Sequence, residues 1–208
     1  ESYLRTDGLS YRLVPVKNSE VNHNWVLDKM MNKFVFGNAD KKGVYFDEEN
    51  RRHLNTIRMQ FSMAALSLAD NNMQADAKKL LQRCDKMMLE ENFPYGMVSR
   101  DQRHNQIAGQ FLLAAYKAGD TVLAKKVYNS VRKDLEQQLE YFNSLDENKQ
   151  GALINDNQRA LQILQQIQQI QQYFTNPQPV VNPETQKPVI NNINKDNNKA
   201  DAVEVKQQ

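Results

Sequence analysis

The chain has 208 residues, of which 40% are hydrophobic and 25% charged, enough for one ordinary domain with appendages. A formal net charge of +2, with no basic run interleaved with aromatics, leaves no footprint for nucleic acid. The single Cys84 excludes an intrachain disulfide, and no stretch reaches the ~18 apolar residues of a membrane span or the pattern of a signal peptide. The chain opens at Glu1 rather than Met, as an excised or processed piece would, so a missing targeting segment says nothing of a parent protein.

Residues 1–17, ESYLRTDGLSYRLVPVK, hold two short apolar runs around Asp7-Gly8, a hairpin signal. Pro15 argues against a central strand. The expectation is an extended segment with at most two short strands. In 24–36, NWVLDKMMNKFVF, the spacing of Trp25, Val26, Met30, Phe34 and Val35 predicts a short helix ending near Gly37-Asn38. Met30 and Met31 read as packing residues. Together, 1–46 form an extended and short-helix segment expected to pack on the helical part.

Asp47 opens the main helical region as an N-cap, with Glu48 and Glu49 in the first turn where the helix dipole favours acids. Leu54, Ile57, Phe61, Ala64, Ala65 and Leu68 repeat at three and four up to Asn71-Asn72. A second helix follows with Ala77, Leu80, Leu81, Cys84, Met87 and Met88, and Pro94 punctuates the loop after it. Ser99 to Gln102 reads as a capping box, predicting the start of a third helix that runs to Gly119. Asp120 caps a fourth, on which Leu123, Ala124, Val127, Tyr128, Val131, Leu135 and Leu139 share a side. Residues 144–151 read as a break and 152–174 as a final helix. In its QQIQQIQQ run, Ile at every third position faces the core and Gln faces water. From Thr175 to Gln208 the Pro- and Asn-rich texture without aromatics cannot bury enough surface to offset its ordering entropy. A strand-like contact through Val180-Val181 or Val189-Ile190 stays open.

Gly119 supplies a left-handed backbone that ends one helix, and Asp120 starts the next, so the third and fourth helices form an antiparallel hairpin. Asn72 occupies the same place in an earlier hairpin. Five residues on come Ala77 and Ala124, then Leu81 and Tyr128, then Cys84 and Val131; upstream, Ala65 and Leu68 match Leu112 and Ala115. Ala65, Leu68, Asn72, Ala77, Leu81 and Cys84 resemble the tetratricopeptide pattern of small, large and glycine positions. The second copy departs at Leu112, and the 47-residue offset exceeds the ~34 of a regular array. The extra residues fall around Pro94 to Arg103. The resemblance implies a mainly α fold of tetratricopeptide-like antiparallel hairpins at about 47–92 and 99–143, closed by the final helix, within a helical-repeat domain spanning 47–174.

Catalytic constellations are missing from the sequence. His23, His53 and His104 lie on separate elements without ligand spacing, and no HExxH, phosphate loop or nucleophile elbow occurs. Cys84 reads as a buried structural thiol. Acidic pairs Glu48/Glu49, Glu90/Glu91 and Asp146/Glu147 sit at helix ends or loops. Arg51 and Arg52 stand in a first turn against the dipole preference, and a bridge to Asp47 or Glu48 is expected. No catalytic, cofactor or metal residue is therefore assigned. Repeat geometry would instead place Met59, Ser62, Leu66 and Ala69 of one hairpin, with Gln106, Gly109, Leu113 and Tyr116 of the other, on an inner face for a partner. That face is too apolar to stand in water. Its cover is either a partner peptide or, preferred here, the N-terminal segment with Tyr3, Tyr11 and Trp25.

Three stretches, YLRTDGLSYRLVPV at 3–16, MMNKFVFGN at 30–38 with VYFDEENRR at 44–52, and the AAYKAGD hairpin, occur in this order. They resemble the soluble C-terminal region of large bacterial multi-spanning membrane proteins of unknown function related to protein O-mannosyltransferase-like glycosyltransferases. The resemblance implies that a lipid-linked sugar site and its catalytic acid lie in a membrane part outside this chain. It further implies a location on the extracytoplasmic, periplasmic face of a bacterial inner membrane. The expected role is a non-catalytic interaction or stabilising module whose partners are its own transmembrane region and an acceptor protein or peptide. A carbohydrate-binding or enzymatic domain, and a free periplasmic scaffold, are the alternatives.

Overall fold

The computed structural model describes residues 3–17 and 21–176. The Pro- and Asn-rich tail from 177 on, with the contact considered for its valines, lies outside them. The fold is mainly α. A β-hairpin, β1 (Leu4–Asp7) and β2 (Ser10–Leu13), precedes α1 (His23–Asn32), α2 (Glu48–Asp70), α3 (Gln74–Met87), α4 (Arg103–Lys117), α5 (Thr121–Ser144), α6 (Glu147–Ala152) and α7 (Ile154–Thr175). The hairpin is antiparallel, with Leu4 opposite Leu13 and Arg5 opposite Arg12.

Local chemistry sets the helix ends. Asp47, Asp120 and Asp146 each turn a side-chain oxygen onto a backbone N–H three residues on, those of Asn50, Leu123 and Lys149. Asp146 thereby starts α6 inside the stretch expected to be a break. The capping box expected at Ser99 forms differently. Asp101 and Gln102 take left-handed angles (φ 57° and 56°), the Ser99 hydroxyl accepts from the His104 N–H, and the Gln102 side chain turns into the interior. A 3-10 turn at Arg100–Gln102 therefore leads into α4.

α2 packs against α3 and α4, α4 against α5, and α7 lies against both α4 and α5. α1 packs on α2 and α3. The α2–α3 and α4–α5 corners use the same device, with Asn72 at φ 62° and Gly119 at φ 72°. Burial repeats at the offset of 47: Phe61 with Ala108, Ala65 with Leu112, Leu68 with Ala115, Ala77 with Ala124, Leu81 with Tyr128 and Cys84 with Val131 are all core residues. Asp70 and Lys117, at equivalent positions just before the two corners, form an ion pair at 2.7 Å. The final helix presents Ala160, Ile163, Leu164 and Ile167 to the core, as the spacing of its isoleucines requires.

Ala77 and Ala124 are wholly buried. Ala124→Leu is expected to lower stability by about 1–3 kcal/mol through overpacking, whereas Val122→Leu on the exposed side of α5 should leave it unchanged. Urea unfolding followed by circular dichroism measures both.

Candidate functional site

The eight residues expected on an inner face do not line an open groove. Ser62, Ala69, Gly109 and Tyr116 are buried, Met59, Leu66 and Leu113 are half-buried, and Gln106 is exposed. The α4 half lies under α7. Ile167 stands 3.6 Å from where a Cβ on Gly109 would sit, and the Tyr116 ring stacks on Phe174 at 4.9 Å between centroids. The apolar stripe of α7, with Ala160, Ile163, Leu164 and Ile167, is what buries against α4 and α5 here.

The N-terminal segment takes another place. Tyr3 and Tyr11 face solvent, and Trp25 lies beneath the Arg12 guanidinium. What docks from this segment is α1 with the loop behind it. Arg83 of α3 donates to the carbonyls of Met30 and Phe34, Asn92 donates to those of Ala39 and Lys41, and Phe34 and Phe36 meet Phe61. His23 contacts the Ser67 hydroxyl at 2.8 Å.

A buried polar site forms around Arg58, a residue that helical periodicity gave no reason to single out. Arg58 is 1% exposed. Its guanidinium lies 4.3 Å from the centroids of both Phe93 and Tyr95, and donates to the carbonyls of Phe93 (2.8 Å) and Pro94 (2.9 Å). Ring faces and carbonyl dipoles thus stand in for a carboxylate, a favourable setting for a desolvated cation. Burial nonetheless lowers the Arg58 pKa. His104 Nε2 lies 2.8 Å from the same Pro94 carbonyl, which makes it a proton donor there and fixes a neutral tautomer. Burial, with Arg58 close by, pushes the His104 pKa down to about 3. Tyr95 donates to Asp85 Oδ1, which Lys126 also contacts at 2.6 Å. Burial raises the Tyr95 pKa well above normal and that of the Cys84 thiol to about 12, so Cys84 is no nucleophile at neutral pH.

A second polar network ties the loop before α4 to α5. Asn105 Nδ2 donates to Asp134 (2.8 Å) and to Gln102 (2.9 Å), Gln102 donates to Gln138 (2.5 Å), and Gln138 to Asp134 (2.6 Å). Gly96 approaches α5 so closely that a Cβ there would lie 2.3 Å from the Ser130 carbonyl oxygen. An open cleft of about 510 Å³ runs past this contact, lined by Glu90, Gly96, Lys126, Ser130, Lys133 and Asp134, among others. Its mixed charges and amides suit an extended polar segment.

The remaining singled-out residues have local roles. Arg52 pairs with Glu49 at 2.5 Å rather than with Asp47 or Glu48, and Arg51 lies over the Tyr45 ring. The three histidines stay apart: His53 pairs with Glu49, His23 contacts Ser67, and His104 is enclosed. Among the described residues no group of three or more His, Cys, Asp or Glu side chains is placed to hold a metal ion. No helix among them is long and apolar enough to cross a membrane. In comparisons with protein-family models, curated proteins and solved structures, nothing matches this chain.

Truncating Arg58 leaves two carbonyls without their donor and opens space between two rings. Arg58→Ala is expected to cost about 3–5 kcal/mol in urea unfolding. The His104 shift has a defined sign. With a folded value of about 3 against 6.5 for the free group, the unfolded chain binds the extra proton, so stability falls as pH drops through 6.5 toward 3. The loss between pH 7 and pH 5 is about 2 kcal/mol. His104→Gln should flatten the denaturation midpoint across that window.

Proposed function

We propose that this chain is a non-catalytic interaction or stabilising module built on tetratricopeptide-like hairpins. The repetition of burial at the 47-residue offset carries this reading: two tandem hairpins with matched corners form an extended scaffold, an architecture used for holding other chains. With α7 over the α4 half of the inner face, the cleft along α5 is the surface assigned here to an acceptor protein or peptide. The resemblance of residues 3–16, 30–38 and 44–52 supports placing the module beside the transmembrane region of a glycosyltransferase-like protein, on the extracytoplasmic side. Lys126 and Lys133, lining the cleft together with Glu90 and Asp134, suit a partner segment of mixed charge.

A photo-crosslinking residue introduced at Gln137, an exposed position lining the cleft, tests this reading in the intact host membrane. The expected result is a discrete adduct, absent when the same group replaces the exposed Tyr45 on the N-terminal side. Absence of any adduct, or an identical pattern from both positions, would reject the α5 cleft as the binding surface. Membrane spans encoded upstream of Glu1 are expected, and a reading frame without them would remove the glycosyltransferase-like context.

A further inference from the structure

We infer that the connection between α3 and α4 is an acid-sensitive latch: a second proton on His104 drives residues 93–99 off the helical body before either hairpin unfolds. The latch closes on one carbonyl oxygen. Pro94 accepts from Arg58 Nη1 at 2.9 Å and from His104 Nε2 at 2.8 Å, and the two donor nitrogens stand 3.4 Å apart. Nε2 already carries the proton of the neutral ring, so a further proton goes to Nδ1. It would make a second cation in contact with a guanidinium that is itself 1% exposed. Like charges so close, and out of water, repel strongly.

No carboxylate offsets that repulsion. From α2 the imidazole meets Arg58 and feels the charge of Arg51. The connection gives it only the Pro94 carbonyl and the Phe93 ring, 4.8 Å away between centroids. On its own helix Arg103 is exposed. The nearby acids are engaged elsewhere: Asp85 by Tyr95 and Lys126, Glu90 by Lys126, Asp134 by Asn105 and Gln138, and Asp101 by Arg159. Among the described residues none of them contacts the imidazole. The ring, held down to about 3 when enclosed, therefore takes its proton once the segment has moved away, and opening gains as pH falls below the free value of 6.5.

Two features confine the response. At one end Asn92 is pinned by the carbonyls of Ala39 and Lys41. At the other, Asp101 and Gln102 hold left-handed angles of 57° and 56° beside His104, where backbone strain favours a hinge. The packing of α2 on α4 through Phe61, Ala65, Ala108 and Leu112, with the Asp70–Lys117 pair, lies outside the moving segment. Opening withdraws Gly96 from Ser130 and so removes a wall of the α5 cleft. The latch itself stands whatever occupies that cleft.

Native-state hydrogen exchange of the whole chain in low urea, at pH 8 and pH 5 and corrected for the chemical rate, tests this. The reporters are the amides of Gly96, Met97 and His104, which donate to Ser130, Asn105 and Ser99 side chains. Their protection is expected to be about 30-fold lower at pH 5 than at pH 8. Their urea dependence should be weak, since a local opening exposes little surface. Interior amides of α3, such as Leu81, should exchange at higher free energy and with the steep urea dependence of global unfolding. His104→Gln, which offers Pro94 an uncharged donor, should abolish the 30-fold fall. Protection that does not change with pH, or a fall that persists in His104→Gln, would overturn the latch. So would reporters that merge with the α3 amides at pH 5, a result read on the parent chain alone and so decisive even where the variant folds poorly.

Discussion

A single buried cation organises the junction between the two hairpins. Arg58 reaches from α2 between Phe93 and Tyr95 and holds the backbone of 93–94 by its carbonyls. Desolvating a guanidinium is costly unless the site supplies compensating partners in fixed positions. Two ring faces and two carbonyls do so here only if the loop between α3 and α4 adopts one conformation. The loop therefore behaves as part of the core. His104 shares the Pro94 carbonyl, so the start of α4 is tied to the same point.

This constraint gives the long connection between α3 and α4 a structural role. The residues between α3 and α4 form a wedge with its own contacts: Phe93 and Tyr95 around Arg58, Gly96 against the backbone of α5, and Gln102 in the amide network with Asn105, Gln138 and Asp134. Asp101 and Gln102 hold left-handed angles, and the interior position of Gln102 offsets the strain this implies. Beyond the wedge, α4 and α5 return to the pattern set by α2 and α3. The additional length thus creates the junction and the cleft beside it.

Two surfaces among the described residues stand at opposite extremes of polarity. The α5 cleft mixes lysines, carboxylates and amides around a rigid backbone contact. The exposed hairpin face is apolar, and the hairpin meets the helical body where Arg12 lies over Trp25 and the Gly8 turn lies against Phe34. The inner face expected to serve as a groove is closed on its α4 side by α7. Its apolar character is that of an ordinary helix–helix interface.

Much of the architecture was legible in the sequence because it rests on local rules. Periodicity at three and four placed the long helices, Asp47 and Asp120 capped them, and the pairing of Asn72 with Gly119 located both corners, since each rule acts within a few residues. The same rules also misled where a distant partner competed. Ser99 to Gln102 has the letters of a capping box, yet Gln102 gains more from Gln138 and Asn105 than from its own helix end. The pair Asp146/Glu147 belongs at a helix end or loop by sequence, and Asp146 caps a short helix inside the stretch expected to be a break.

The sequence by itself determined the long helices, the caps at Asp47 and Asp120 and the corners at Asn72 and Gly119, because hydrophobic spacing and backbone preference are carried by neighbouring residues. Only the tertiary structure decided that α7 closes one half of the inner face, that Arg58 is an interior residue, and that one side of the first hairpin stays uncovered. Those outcomes depend on which apolar surfaces meet and which polar groups find partners 35 or more positions away, as Arg58 does at Phe93. No local pattern of letters encodes that competition.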